Sequence, residues 1–227
     1  MPKRKQPRSK DLESKIIAAL LSDHPLFIVQ SNIHLDIEFS SIYLPSNKKS
    51  PTRHKTSLLT IAAAHNKIKS VRRLLEFGAS PDGLIEDPTP PLTTAKSIDI
   101  VRLLIGFGAN PNITNYNNTT SAIFNHVGNR EIFNYLINHG ADIEMKNCCG
   151  QTALGLAISW QLPIDDIAFL VDAGADIYNI GVLDESAFEI LHAKKKEANT
   201  ISDKNTNDWI QQTEELLRLK ILAGIIP

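Results

Sequence analysis

The chain has 227 residues, of which 42% are hydrophobic and 22% charged, with a formal net charge of -1. That size and balance allow one or two soluble domains with a substantial core, and near-neutrality excludes a global electrostatic pull toward nucleic acid or membrane. The two cysteines, Cys148 and Cys149, are neighbours, which excludes a disulfide framework and favours a reducing compartment.

Residues 1–10 carry Lys3, Arg4, Lys5, Arg8 and Lys10 with two prolines and read as a disordered basic arm. The cluster is either a solvated tail or a nuclear-import or phosphate-binding patch. Asp11 and Glu13 fall where a signal peptide would place its apolar core, and no apolar run approaches a membrane span, so a soluble intracellular protein is expected. Residues 11–52 are expected to form N-terminal capping helices and a connection. Leu12, Ile16, Ile17, Leu20 and Leu21 recur at helical spacing, Pro25 breaks the pattern, and Pro45 and Pro51 punctuate the link. The alternation from His34 to Phe39 suggests a short extended piece.

Residues 53–179 repeat one design. Leu74-Leu75-Glu76-Phe77-Gly78-Ala79-Ser80 returns at Leu103–Asn110, Leu136–Asp142 and Leu170–Asp176, with Gly78, Gly108, Gly140 and Gly174 spaced by 30, 32 and 34 residues. Each copy ends an apolar helix at a glycine, which can take the left-handed conformation that closes a helix. Such a period marks stacked units, each with an apolar face that only a neighbour can bury. In the first copy Leu58–Ala63 form a short helix, Asn66 breaks it, and Val71, Leu74 and Leu75 line the second. The second copy opens at Pro90-Pro91-Leu92-Thr93 and lacks about three residues between its helices, so its first helix is expected to be short. The third opens at Thr119-Thr120-Ser121-Ala122. The fourth opens at Gly150-Gln151-Thr152-Ala153-Leu154 and carries one extra residue before its second helix. Residues 180–227 read as a diverged C-terminal capping repeat from Glu185, interrupted by a polar insert over 194–207 and completed by an amphipathic helix from Trp209 to Ala223.

Ala62-Ala63, Leu74-Leu75, Gly140-Ala141-Asp142 and Gly174-Ala175-Asp176 resemble, in register, the Ala-Ala, Leu-Leu and Gly-Ala-Asp segments of ankyrin repeats. No copy keeps the family's full Thr-Pro-Leu-His opening. The resemblance implies an all-α ankyrin-repeat solenoid of about four helix-turn-helix repeats with a capping element at each end. It also implies a non-catalytic module that grips another protein on a concave surface of hairpin tips and first helices. The family's partner-contacting slots fall on Arg53, His54, Thr56 and His65 in the first copy and on Glu86 and Asp87 in the second. In the third they are Asn115, Tyr116, Asn118 and His126, and in the fourth Cys148, Cys149, Gln151, Ser159 and Trp160. Trp160 and Tyr116 are the aromatic candidates for hot spots, with burial of Trp160 in the core as a nearly even alternative. Asn112 occupies the slot that asparaginyl hydroxylases modify in some ankyrin proteins. The plainer reading is a turn asparagine satisfying its own backbone.

No constellation for catalysis, cofactor or metal stands out. The seven histidines are scattered without zinc-site spacing, and glycine-rich phosphate loops and nucleophile elbows are absent. Asp165-Asp166 follow Pro163, where acids favour a helix's first turn. Cys148-Cys149 read as two thiols at a hairpin tip, one inward and one outward, rather than as a metal or redox site. The expectation is a monomer with a protein partner, no membrane and no nucleic acid. Two alternatives are a nuclear or nucleic-acid-associated factor using the basic arm and a regulator that inhibits a bound enzyme. The degenerate, Asn-, Ile- and Lys-rich stack also resembles secreted ankyrin effectors of intracellular bacteria. On that reading Glu214-Glu215 and the apolar end would be a secretion signal, against the alternative of acids facing solvent on a capping helix.

Overall fold

A computed structural model describes residues 18, 22–23, 56–84, 89–115, 119–179, 186–201 and 203–224. The basic arm, nearly all of the N-terminal capping region and the expected extended piece at 34–39 lie outside them. The chain divides into two compact units, Met1–Asn110 and Pro111–Pro227. Its described secondary structure is helical, with an isolated bridge between Thr114 and Ser121.

In the first unit, α1 (Leu58–Ala64), α2 (Ile68–Glu76), α3 (Pro91–Thr94) and α4 (Ile98–Gly106) form two helix pairs. The first helices α1 and α3 pack together, as do the second helices α2 and α4. Leu58, Ile61, Val71, Leu74, Leu92, Ile100 and Leu104 are buried between the layers. Ser57 caps α1 by accepting the N–H of Thr60 at 3.1 Å, and Pro91 starts α3, where a missing N–H costs nothing. With only four residues, α3 is as short as the missing connection requires. Asp23 accepts both the backbone N–H and the hydroxyl of Ser70 on α2, at 2.9 and 3.0 Å, which ties this N-terminal residue to the first repeat.

The second unit continues the plan with α5 (Ala122–Asn125), α6 (Arg130–Asn138), α7 (Ala153–Ser159), α8 (Ile164–Asp172), α9 (Ala187–Ile201) and α10 (Lys204–Leu222). Here α5 packs on α7 and α7 on α9, while α8 packs on α10. Phe133 of α6 meets Phe169 of α8 edge to face at 5.8 Å, a geometry that favours the ring quadrupoles. Close approach of α9 depends on Gly155 in α7, where an added Cβ would stand 3.3 Å from Ile190 Cδ1. Asp165 and Asp166 occupy the first turn of α8, and Asp166 also pairs with Arg130.

The final repeat departs from expectation. The polar stretch from Lys194 does not interrupt the helix but extends α9 to 15 residues. A capping box starts it: Ser186 Oγ accepts the N–H of Glu189, and Glu189 Oε2 accepts the N–H of Ser186. Lys195 reaches α10, where its Nζ donates to both carboxylate oxygens of Glu214 at 2.7 and 2.8 Å. Glu214 is thus half-buried and links the last two helices, whereas Glu215 is exposed. Trp209 Nε1 donates to the Leu162 carbonyl at 2.9 Å, and Lys220 pairs with Asp172 of α8.

Two devices recur through both units. Gly78, Gly108, Gly140 and Gly174 have φ of +85°, +92°, +90° and +98°. At each, the glycine N–H and the next alanine N–H fold back onto carbonyls three and five residues earlier, as in Ala141 to Leu136 and Ala175 to Leu170, the double closure of a Schellman motif. Four residues after each of the first three glycines stands an acceptor. Asp82 accepts the N–H of Asn110, Asn112 that of Asp142 and Glu144 that of Asp176, at 2.8, 2.7 and 2.8 Å. Asn112 also donates to the Gly140 carbonyl at 2.8 Å. Beyond its own turn, its carboxamide thus reaches the next copy.

Gly140→Val is expected to lower stability by more than about 1 kcal/mol, since a β-branched residue is strained at positive φ, and a denaturant midpoint checks it. Gln161 holds the same left-handed conformation with φ +52. Gln161→Gly should therefore raise that midpoint, by up to about 1 kcal/mol. Asn112→Ala should cost about 1 kcal/mol through its two lost bonds, with hydrogen-exchange protection falling at the Asp142 amide.

Candidate functional site

The hairpin tips of the second unit are built by asparagines seven residues past the repeat glycines. Asn115 Oδ1 accepts the N–H groups of Thr119 and Thr120 at 2.7 and 3.1 Å. Asn147 Oδ1 accepts those of Cys149 and Gln151, both at 2.9 Å. Each side chain replaces backbone bonds that a short tip cannot make for itself. Asn115, expected at a partner surface, is half-buried and occupied by its own turn.

In the fourth copy Cys148, Cys149 and Trp160 are exposed, and Gln151 and Ser159 are half-buried. Cys148 and Cys149 are both exposed free thiols, not one inward and one outward, because both sit in the projecting corner of the turn closed by Gly150 N–H to the Asn147 carbonyl. Gln151 Nε2 donates to Ser159 Oγ at 3.2 Å, linking the foot of the tip to the end of α7. Trp160 caps α7 through its backbone and leaves its side chain 60% exposed. The core alternative for Trp160 is thereby answered: the left-handed Gln161 reverses the chain, and the indole points outward.

Elsewhere the expected set disperses. His65 is exposed at the end of α1. Thr56 is only 3% exposed and His126 only 8%; both are corrected to interior positions. Thr56 directly precedes the buried cap of α1, and His126 ends a four-residue helix too short to carry the slot onto an open face. Arg53, His54, Glu86, Asp87, Tyr116 and Asn118 lie outside the described residues. Sequence reasoning missed a second aromatic surface. Half-exposed Tyr178 and Phe188 have ring centroids 6.0 Å apart, and Phe188 lies 5.3 Å from His192. The signal was there in Phe188 and His192, one helical turn apart.

Among the described residues no group of three or more His, Cys, Asp or Glu gathers as a metal site, and no helix is long and apolar enough to cross a membrane. Cys149 is held above the usual thiol range, first by its hydrogen bond with Cys148 and then by the charge of that neighbour when ionised.

Helix pairs closed by left-handed glycines and joined by hairpin tips define an ankyrin-repeat protein, and comparison with known proteins agrees. The family profile described as ankyrin repeats (three copies) matches residues 93–180. A curated ankyrin repeat protein of fowlpox virus (strain NVSL) is 30% identical over 117 residues, which span 50% of this chain and 16% of that protein. The crystal structure of an ankyrin repeat domain from Acinetobacter baumannii AYE aligns with a TM-score of 0.67 at 21% identity, covering 95% of this chain and 100% of that one. Residues 93–180 thus carry ankyrin repeats, and the chain has the fold of an ankyrin-repeat domain.

Alkylation of the turn with iodoacetamide should be slow near neutral pH and accelerate as the pH rises, because its neighbour holds Cys149 protonated. Peptide mass spectrometry over time at several pH values checks it.

Proposed function

We propose that the chain is a non-catalytic protein-binding module. Its contact surface is centred on the fourth repeat, where Cys148, Cys149, Gln151, Ser159 and Trp160 meet, with His65 a separate exposed slot in the first unit. Ankyrin repeats are in general protein–protein interaction modules, which supplies the class. The single observation that carries the location is Trp160. A 60% exposed indole at the end of a first helix contributes nothing to the core, and a large rigid aromatic is the residue type most enriched where interfaces gain their energy. The tip beside it is preformed by Asn147, so a partner meets an ordered surface and little entropy is lost on docking.

Catalysis has no support on this surface. Gln151 and Ser159 hydrogen-bond each other, so these two polar side chains are engaged with one another. The partner is expected to be a protein that offers an apolar pocket for the indole.

Trp160→Ala should weaken binding of a captured partner by about 2 kcal/mol, roughly thirtyfold. The melting temperature should stay near wild type, because an exposed side chain is removed. Calorimetric titration alongside a thermal melt separates the two effects. A large loss of stability with unchanged affinity would make Trp160 a packing residue and remove the proposed centre.

A further inference from the structure

The turn that bears the two cysteines holds them in a defined relation. Asn147 fixes it from its side chain and from its backbone: its carbonyl accepts the N–H of Gly150 at 2.9 Å and its N–H donates to the Gln151 carbonyl at 3.0 Å. Gly150 completes the corner with φ +77. On this frame the two Sγ atoms stand 3.9 Å apart, both exposed.

That separation has a chemical meaning. Zinc–thiolate bonds of about 2.3 Å at a tetrahedral angle place two sulfurs about 3.8 Å apart. The separation of the pair therefore matches two adjacent positions around a tetrahedral thiophilic ion. The other two positions are not filled from the described residues of the same chain, since no third His, Cys, Asp or Glu gathers there. A half-site at an exposed corner can be completed by the same corner of another copy. Two-fold symmetry through the ion would supply the same two thiolates from each chain and give the four-thiolate set of closed structural zinc sites.

We propose that Cys148 and Cys149 form a two-thiolate half-site for a tetrahedral thiophilic divalent cation of the zinc type, completed by the same pair from a second copy of this chain. On binding, each thiol passes its proton to solvent as its sulfur–metal bond forms, and no electron is transferred. Affinity should rise with pH, because protons compete with the metal for both sulfurs.

The test uses the full chain, reduced with a metal-free phosphine and titrated with zinc chloride. Equilibrium dialysis is expected to give one zinc per two chains, and sedimentation velocity a dimer that a chelator returns to monomer. Cadmium in place of zinc should produce an ultraviolet thiolate-to-metal charge-transfer band. The double variant Cys148→Ser, Cys149→Ser should lose uptake, band and dimer together while its circular dichroism is unchanged, since both side chains are exposed. Three results would each overturn the proposal: uptake retained in the double variant, zinc bound by a monomer, or a dimer that resists chelator and yields only to reductant.

Discussion

Four left-handed turns set where everything else goes. At each repeat glycine the backbone reverses at a φ that would strain a side chain, and two amides fold back to satisfy the end of the preceding helix. The reversal fixes the direction in which the chain leaves. It thereby brings the residue four places on within reach of an amide in the following copy. Helix closure and copy-to-copy bonding are thus two results of one local constraint. Without the closure, the acceptors at Asp82, Asn112 and Glu144 would have nothing fixed to face.

The repeat plan was legible because it is written in local chemistry. Glycine after a paired apolar run, asparagine breaking α1, and a proline opening α3 each have one dominant structural meaning, and the three agree. Side-chain bonds between copies were not legible. Asp82, Asn112 and Glu144 share a register position but not a residue type, and only their common acceptor oxygens unite them. The extension of α9 was missed for a related reason. Lys194–Lys196 look like a solvated break until Glu214, far along the chain, is placed opposite Lys195. The capping box at Ser186 and Glu189 announces that helix in sequence, and it was available to be read.

The candidate surface was legible only in part. Register transferred from a family locates a slot along the chain but not its depth. Where a first helix has seven residues, as in α1 and α7, the slot at its end opens to solvent, as at His65 and Trp160. Where it has four, as in α5, the same slot at His126 is drawn inside. Helix length thus tracks exposure of the slot in these three copies.

The acceptor ladder also has a direction. Each oxygen belongs to the earlier copy and each amide to the later one, so every interior block brings both a plug and a socket. At the corresponding place in the fourth copy stands Tyr178, which touches Phe188 through its ring and offers that junction no carboxylate or carboxamide. Tandem duplication of an interior block would therefore regenerate a compatible junction on both sides, whereas one inserted after Tyr178 would meet an aromatic seam. Growth of such an array by gene duplication is permitted in its middle and closed at that end.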